Sequence, residues 1–290
     1  MTRTLRALFD LVRIRDDLNF LLTNRIPRRL ATQWMGRLSR VEQPLVRDLS
    51  MRLWRLFCDV DLSDAKSTRF RSLHDCFIRE LRANARAIDP DRSVLVSPCD
   101  AIVGASGAVE GVRAWQAKGA PYTLADLLGT GTLAERYRDG CYATLRITAG
   151  MYHRFHAPHC CRVERVTYFS GDTWNVNPPA LERVERLFCK NERAAIEVRL
   201  DDGGHVVTLV AVAAVLVASI RLHGLDTRLH LRYRGPNVID CDMAYAKGDE
   251  MGWFEHGSTI LVFAPRGFAL HDRIREGTRV RMGEPLLRLP

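Results

Sequence analysis

The amino-acid sequence predicts an α+β fold, with a helical N-terminal region over residues 1–88 and a β-rich, barrel- or sandwich-like domain over residues 89–290. Three observations carry this. As far as Leu81 the apolar residues recur mostly at helical spacing. Asp89-Pro90-Asp91 then interrupts the pattern, because proline disfavours helix in the residue before it. Beyond Pro90, alternating and β-branched runs separated by turn residues take over.

Three apolar-basic segments make up the start of the chain. Leu5, Leu8, Phe9 and Val12, with Leu11 beside them, lie among Arg3, Arg6, Arg13 and Arg15. A second segment runs from Ile26 through Trp34, Met35 and Leu38, and a third from Leu45 through Met51, Leu53, Trp54 and Phe57. Residues 1–60 hold twelve arginines against six acidic residues. Leucine, tryptophan and arginine in this pattern suit helices lying in a membrane interface, with Trp34 and Trp54 in the apolar layer. They suit amphipathic helices packed on a core equally well. Phe70 to Leu81 follows as a short helix capped by Ser72, with Leu73, Phe77 and Leu81 on one face.

In the second region Val94-Leu95-Val96 opens a strand. Thr123 and Asp126 supply a capping pattern for a short helix through Leu128. Cys141, Ala143, Leu145 and Ile147 alternate with Tyr142, Thr144, Arg146 and Thr148, as in a half-buried strand. Val206 to Ile220 is the longest apolar run, and at 15 residues it is too short to cross a bilayer, which takes roughly 20. Its β-branched content predicts one or two buried strands. Gly277 to Leu286 predicts the closing turn and strand of the sheet.

The chain has 290 residues, 47% of them hydrophobic, so it can bury a sizeable core. Its net charge of +9 calls for an acidic partner, either nucleic acid or an anionic membrane surface. No aromatic stacking pattern for nucleic acid is recognisable. The eight cysteines include no Cys-x-x-Cys, so neither a disulfide framework nor a metal site is indicated, and a reducing compartment is expected. No secretory signal is visible at Met1-Thr2-Arg3-Thr4-Leu5-Arg6.

Two stretches carry chemistry. In Gly257-Ser258-Thr259, glycine leaves its carbonyl open to close approach, and the Ser258 hydroxyl is the nearest nucleophile. Attack on the Gly257 carbonyl would give an ester, and β-elimination with hydrolysis would leave a pyruvoyl group at a new amino terminus. Alone, the tripeptide reads as a turn before a strand. The other stretch, Tyr152-His153-Arg154-Phe155-His156-Ala157-Pro158-His159-Cys160-Cys161, offers three histidines and two cysteines that could suggest zinc. Pro158 breaks any helix that would align them, and no second ligand motif completes a set.

Taken together, Glu250-Met251-Gly252, Phe254, Gly257-Ser258-Thr259 and Phe263-Ala264-Pro265 resemble the processing site of phosphatidylserine decarboxylase proenzymes. Tyr152-His153-Arg154-Phe155-His156-Ala157-Pro158, the segment from Phe70 to Leu81, Ser97-Pro98-Cys99-Asp100, Asn175-Val176-Asn177-Pro178 with Asn191-Glu192-Arg193, and Val212 to Ile220 match the same family in the same order. The departures are His256 in place of leucine and Ala101, Ala213 and Ala218 in place of glycines.

The resemblance implies a self-cleaving precursor. Asp100 would orient His156, which would take the proton of Ser258, and the chain would part between Gly257 and Ser258. The products, residues 1–257 and 258–290, would stay associated, with a covalent pyruvoyl group made from Ser258 and no free cofactor or metal. That carbonyl would condense with the amine of phosphatidylserine and act as electron sink for the carbanion left by carbon dioxide, giving phosphatidylethanolamine. His153 is the candidate for proton handling, and Arg154 and Arg193 are candidates for phosphate binding. The resemblance also decides between the two readings of the N-terminal region, which becomes membrane-associated, at the cytoplasmic side of the cell membrane, with anionic phospholipid as partner and no nucleic acid. A homo-oligomer is compatible with it. The alternatives are a basic nucleic-acid-binding protein, or a hydrolase using Ser258, His156 and Asp100 in trans; both would keep an intact chain.

Overall fold

The computed structural model describes residues 16–21, 23–117, 120–215, 219–255 and 258–290, with the side chains of Phe57 and Ser258 also left aside. The first apolar-basic segment and His256, Gly257 and Ala218 therefore lie outside the described residues.

Every strand pair in the main sheets is antiparallel. The largest sheet has eight strands, in spatial order Val238–Tyr245, Cys161–Phe169, Arg193–Leu200, Val206–Ala213, Ser258–Ala264, Cys141–Ile147, Ala101–Ala108 and Arg279–Val280. A four-stranded sheet (Leu229–His230, Ser219–Leu222, Glu250–Phe254, Arg154–His156) and a three-stranded one (Val94–Val96, Pro285–Arg288, Ala269–Leu270) pack on one face of it. Leu95, Phe155, Ile220, Phe254 and Leu287 of the smaller sheets share one core with Leu145, Val163, Ile196, Leu209, Ile260 and Val262. The body is thus sandwich-like and sheet-dominated.

On the other face, short helices at Leu124–Leu128, Gly131–Arg136, Pro178–Arg183 and Leu187–Lys190 cover Tyr142, Ala195, Val210, Val212, Leu261 and Phe263. Both faces of its central strands Val206–Ala213 and Cys141–Ile147 are therefore dry, whereas the edge strand Val238–Tyr245 leaves alternate residues exposed. This corrects the half-buried strand expected at Cys141–Ile147, where six of seven residues are buried, because helices from elsewhere in the chain lie over the face that alternation assigned to solvent. The run from Val206 resolves into the two strands Val206–Ala213 and Ser219–Leu222.

Helices at Arg28–Leu38 and Pro44–Phe57 precede the sheets. Gln43 caps the second through its side chain, and Pro44 occupies the first turn, where its missing N–H costs nothing. The helix expected over Phe70–Leu81 is the single turn Leu73–Phe77, capped by Ser72 accepting from Asp75 N at 3.1 Å. Thr123 caps Leu124–Leu128 in the same way. Trp54 is only 9% exposed and packs against Phe77, ring centroids 4.6 Å apart and tilted by 40°, in a small cluster with Leu73 and Cys76, so it is a core residue and not an interface anchor; Trp34 is 68% exposed.

Candidate active site

Ser258 begins the central strand of the large sheet, registered with Ile147 on one side and Ala213 on the other. The chain beyond Ile147 turns through Thr148–Met151 into Tyr152 and the Arg154–His156 strand, which brings the histidine segment to the same end of the sheet. Ile102 is registered with Arg146, so the Ala101 end of its strand lies two inter-strand steps, roughly 10 Å, from Ser258. Asp100, just ahead of that strand, is held at this end as well. The amide of His156 donates to Pro98 O at 2.8 Å, tying the aspartate segment to the histidine strand.

The side chains adopt a wiring different from the relay the resemblance implied. His156 donates from Nδ1 to the Gly248 carbonyl at 2.9 Å, which leaves Nε2 as an acceptor for the Tyr152 hydroxyl at 3.0 Å. Asp100 instead receives a forked pair from Arg86, Nη2 to Oδ2 at 2.6 Å and Nε to Oδ1 at 3.0 Å, and the Met282 amide at 2.9 Å. Asp100 thus acts on His156 through its field and not through a hydrogen bond. Burial pulls the His156 pKa down, opposed by the Gly248 carbonyl and by the charges of Glu250 and Asp100.

His153 is fully buried beside Phe77, with ring centroids 5.4 Å apart. Its Nε2 donates to Ala149 O at 3.1 Å, so Nδ1 carries the lone pair and has no partner among the described residues. Burial lowers its pKa to about 4, which keeps the ring neutral near pH 7. A neutral, unpartnered buried nitrogen is costly unless something uses it. His159, by contrast, is engaged by the Arg92 carbonyl at 2.8 Å.

Every side-chain nitrogen of the two arginines expected at the phosphate is already engaged within the protein. Arg193 gives hydrogen bonds to the carbonyls of Leu127, Cys189, Asn191 and Asp126 at 2.6–3.2 Å, clamping the short helices to the sheet. Arg154 ties Ile78 O and Arg79 O to Glu250, whose carboxylate lies at 2.6 Å. The motif positions are occupied by architecture. Sequence reasoning passed over Arg79 and Arg86, although Arg79 stood inside the Phe70–Leu81 match. Arg79 is buried, donates to Gly150 O at 3.0 Å and to Cys76 O at 3.3 Å, and leaves its buried Nε without a partner among the described residues.

Two cavities meet at this end of the sheet. A polar one of about 310 Å³ is lined by Arg79, Arg86, Asp100 and Tyr152. An apolar one of about 390 Å³ is lined by Ile26, Met35, Trp54, Phe77, Ile147 and Ala214. They share Cys58, Thr148 and Ala149. A site of this kind accepts a molecule with a charged head and an apolar remainder.

Comparison with known proteins agrees with that chemistry. The family model for phosphatidylserine decarboxylase matches residues 73–288. The chain is 36% identical over 275 residues to a phosphatidylserine decarboxylase proenzyme of Anaeromyxobacter sp. (strain K), covering 90% of this chain and 94% of that protein. It is 34% identical to the proenzyme of Vibrio cholerae, with the same coverage, and 30% identical to that of Aliivibrio salmonicida over 93% and 97% of the two chains. The protein is a carboxy-lyase. It belongs to the phosphatidylserine decarboxylase family.

Proposed function

We propose that this chain is a precursor that cuts itself between Gly257 and Ser258 and then, as two associated chains, decarboxylates phosphatidylserine. The observation that carries the proposal is the position of Ser258, at the head of a buried strand and registered with Ile147, where a polar and an apolar cavity meet at Thr148 and Ala149. A pyruvoyl group made from Ser258 supplies the electron sink for loss of carbon dioxide.

The remaining work falls to the chain's own residues. His156, with its lone pair at Nε2 and Tyr152 bonded there, takes the Ser258 proton, directly or through the phenol. Asp100, fixed by Arg86, contributes the negative field that favours the imidazolium formed at that moment. His153 uses its free Nδ1 to hold and return the proton at the carbon that loses carbon dioxide. Arg79 replaces Arg154 and Arg193 as the cation for the lipid head, since it is a buried guanidinium among the residues that line the polar cavity. The dry walls of Trp54, Phe77 and Ile147 exclude water from the apolar remainder.

Membrane contact follows from the helical region. Among the described residues, nine of the ten exposed large hydrophobic ones lie between Leu18 and Leu56, and Leu45, Leu49, Leu53 and Leu56 form one stripe of a single helix. No described helix is long and apolar enough to cross a bilayer, and this surface supports peripheral contact with an anionic membrane, which the proposal puts at the cytoplasmic side.

The test is a denaturing mass spectrum beside a carbon dioxide release assay on the same preparations. The native chain should appear as residues 1–257 and 258–290, the latter blocked at its amino terminus. Ser258→Ala should stay whole and inactive. His156→Ala should accumulate precursor, whereas His153→Ala should cut and turn over at least about 100-fold more slowly. An intact, active chain with an unmodified serine overturns the proposal.

A further inference from the structure

The proposed cut lies between two anchors. On the C-terminal side, Ser258 is registered with Ile147 and Ala213. On the N-terminal side, Glu255 is buried, its amide donates to Ser219 O at 3.3 Å, and its Oε2 accepts from two arginines. Arg40 Nη2 lies at 2.7 Å and Arg228 Nη1 at 3.3 Å. Only two residues, 256 and 257, separate the anchors in sequence.

The two arginines come from different parts of the molecule. Arg228 belongs to the body, next to the strand Leu229–His230. Arg40 follows the helix Arg28–Leu38, and its neighbour Ser39 is buried and accepts the His74 amide at 2.8 Å. The N-terminal helical region therefore reaches across 215 positions to hold the residue that stands two places before the scissile carbonyl.

We infer that the Arg40–Glu255 pair is a latch that makes self-cleavage depend on the helical region being docked. The inference rests on the self-cleavage proposed above and names Arg40 and Glu255 as positioning residues for it. Attack of a hydroxyl on a neighbouring carbonyl is sensitive to displacements of about 1 Å, so a residue fixed two positions away changes the fraction of productive geometries. Arg40 is nearly half exposed, and when it is removed the buried Glu255 carboxylate keeps Arg228 as its cation, so the fold loses little. Its removal should therefore show in the rate of cutting and not in the fold. The docked state is also the one in which Met35, Trp54 and Phe77 close the apolar cavity. Cutting would then follow completion of the lipid pocket.

The test follows cleavage of the full chain after pulse labelling in cell-free translation, on a denaturing gel. Arg40→Gln and Glu255→Gln should each slow cutting by roughly ten-fold, and the double variant should be no slower than either single one. Arg40→Lys should recover most of the rate. Thermal unfolding of Arg40→Gln in an uncleavable Ser258→Ala chain should match that of Ser258→Ala alone, which separates positioning from misfolding. Cutting of Arg40→Gln at the native rate, effects that multiply in the double variant, or a slowdown matched by lost thermal stability would each overturn the latch. Failure of the unsubstituted chain to cut would overturn the self-cleavage proposal instead, and is visible in the same gel.

Discussion

The strand Ser258–Ala264 and the helix Pro44–Phe57 are both rich in large apolar residues, and they meet opposite fates. In the strand, Ile260, Val262 and Ala264 face the sandwich core while Leu261 and Phe263 face the short helices, so neither side sees water. In the helix only Trp54 among the described side chains is buried, and Leu45, Leu49, Leu53 and Leu56 point outwards, Leu45 at 77% exposure. A soluble surface scatters its apolar residues singly. The continuous outward leucine stripe stands apart from that pattern, and the difference teaches that apolar content alone does not decide burial: the chain covers both faces of the strand itself, while the helix leaves its leucines for the membrane contact proposed above.

The sharpest way to break the comparison is to truncate one apolar residue in each region. Phe263→Ala should lower unfolding free energy by about 3–5 kcal/mol, and Trp54→Ala should behave like a core substitution of similar size. Denaturant titration of the uncleaved Ser258→Ala chain reads both. If Trp54→Ala left stability untouched, the helix would be loosely attached and the small cluster with Phe77 and Leu73 would carry no weight.

A smaller effect should come from Glu192, a buried carboxyl in the body. The Tyr168 hydroxyl has one proton but lies 2.6 Å from Glu192 Oε1 and 2.8 Å from His230 O, an arrangement that a protonated Glu192 completes by donating to the phenol while the phenol donates to His230. Burial raises its pKa to about 8, against roughly 4.5 in the unfolded chain. The raised value means the stabilisation is full below about pH 4.5 and is lost as pH rises through about 8. Glu192→Gln should flatten that loss, gaining on the order of 1–3 kcal/mol over the native chain at pH 8 and much less at pH 5, in melting curves taken at both.

The smallest effect on the fold should come from the exposed stripe. Leu45→Ser with Leu49→Ser should shift unfolding free energy by less than about 0.5 kcal/mol each, while weakening cosedimentation with anionic vesicles at high salt. Trp34→Ala should do the same. Vesicle binding unchanged by all three would mean the stripe is covered by protein instead of lipid.

Much of this was legible in the residues. The helix caps at Ser72 and Thr123, the buried-strand character of Val206–Ile220, and the helices around Trp34 and Trp54 follow from local rules of hydrogen bonding and period, which need no distant partner. The motifs around Ser258 and His156 likewise named the family that the comparisons then showed. What tertiary structure alone decided is which partners each side chain meets. Alternation could not reveal that the second face of Cys141–Ile147 is roofed by helices, since the roof lies elsewhere in the chain. Arg154 and Arg193 have the right chemistry for phosphate, but they are engaged by carbonyls and a carboxylate from segments tens of residues away. Asp100 faces Arg86, and Glu255 faces Arg40, for the same reason: sequence fixes a side chain's chemistry and local direction, whereas its partner is set by long-range packing that no local pattern encodes.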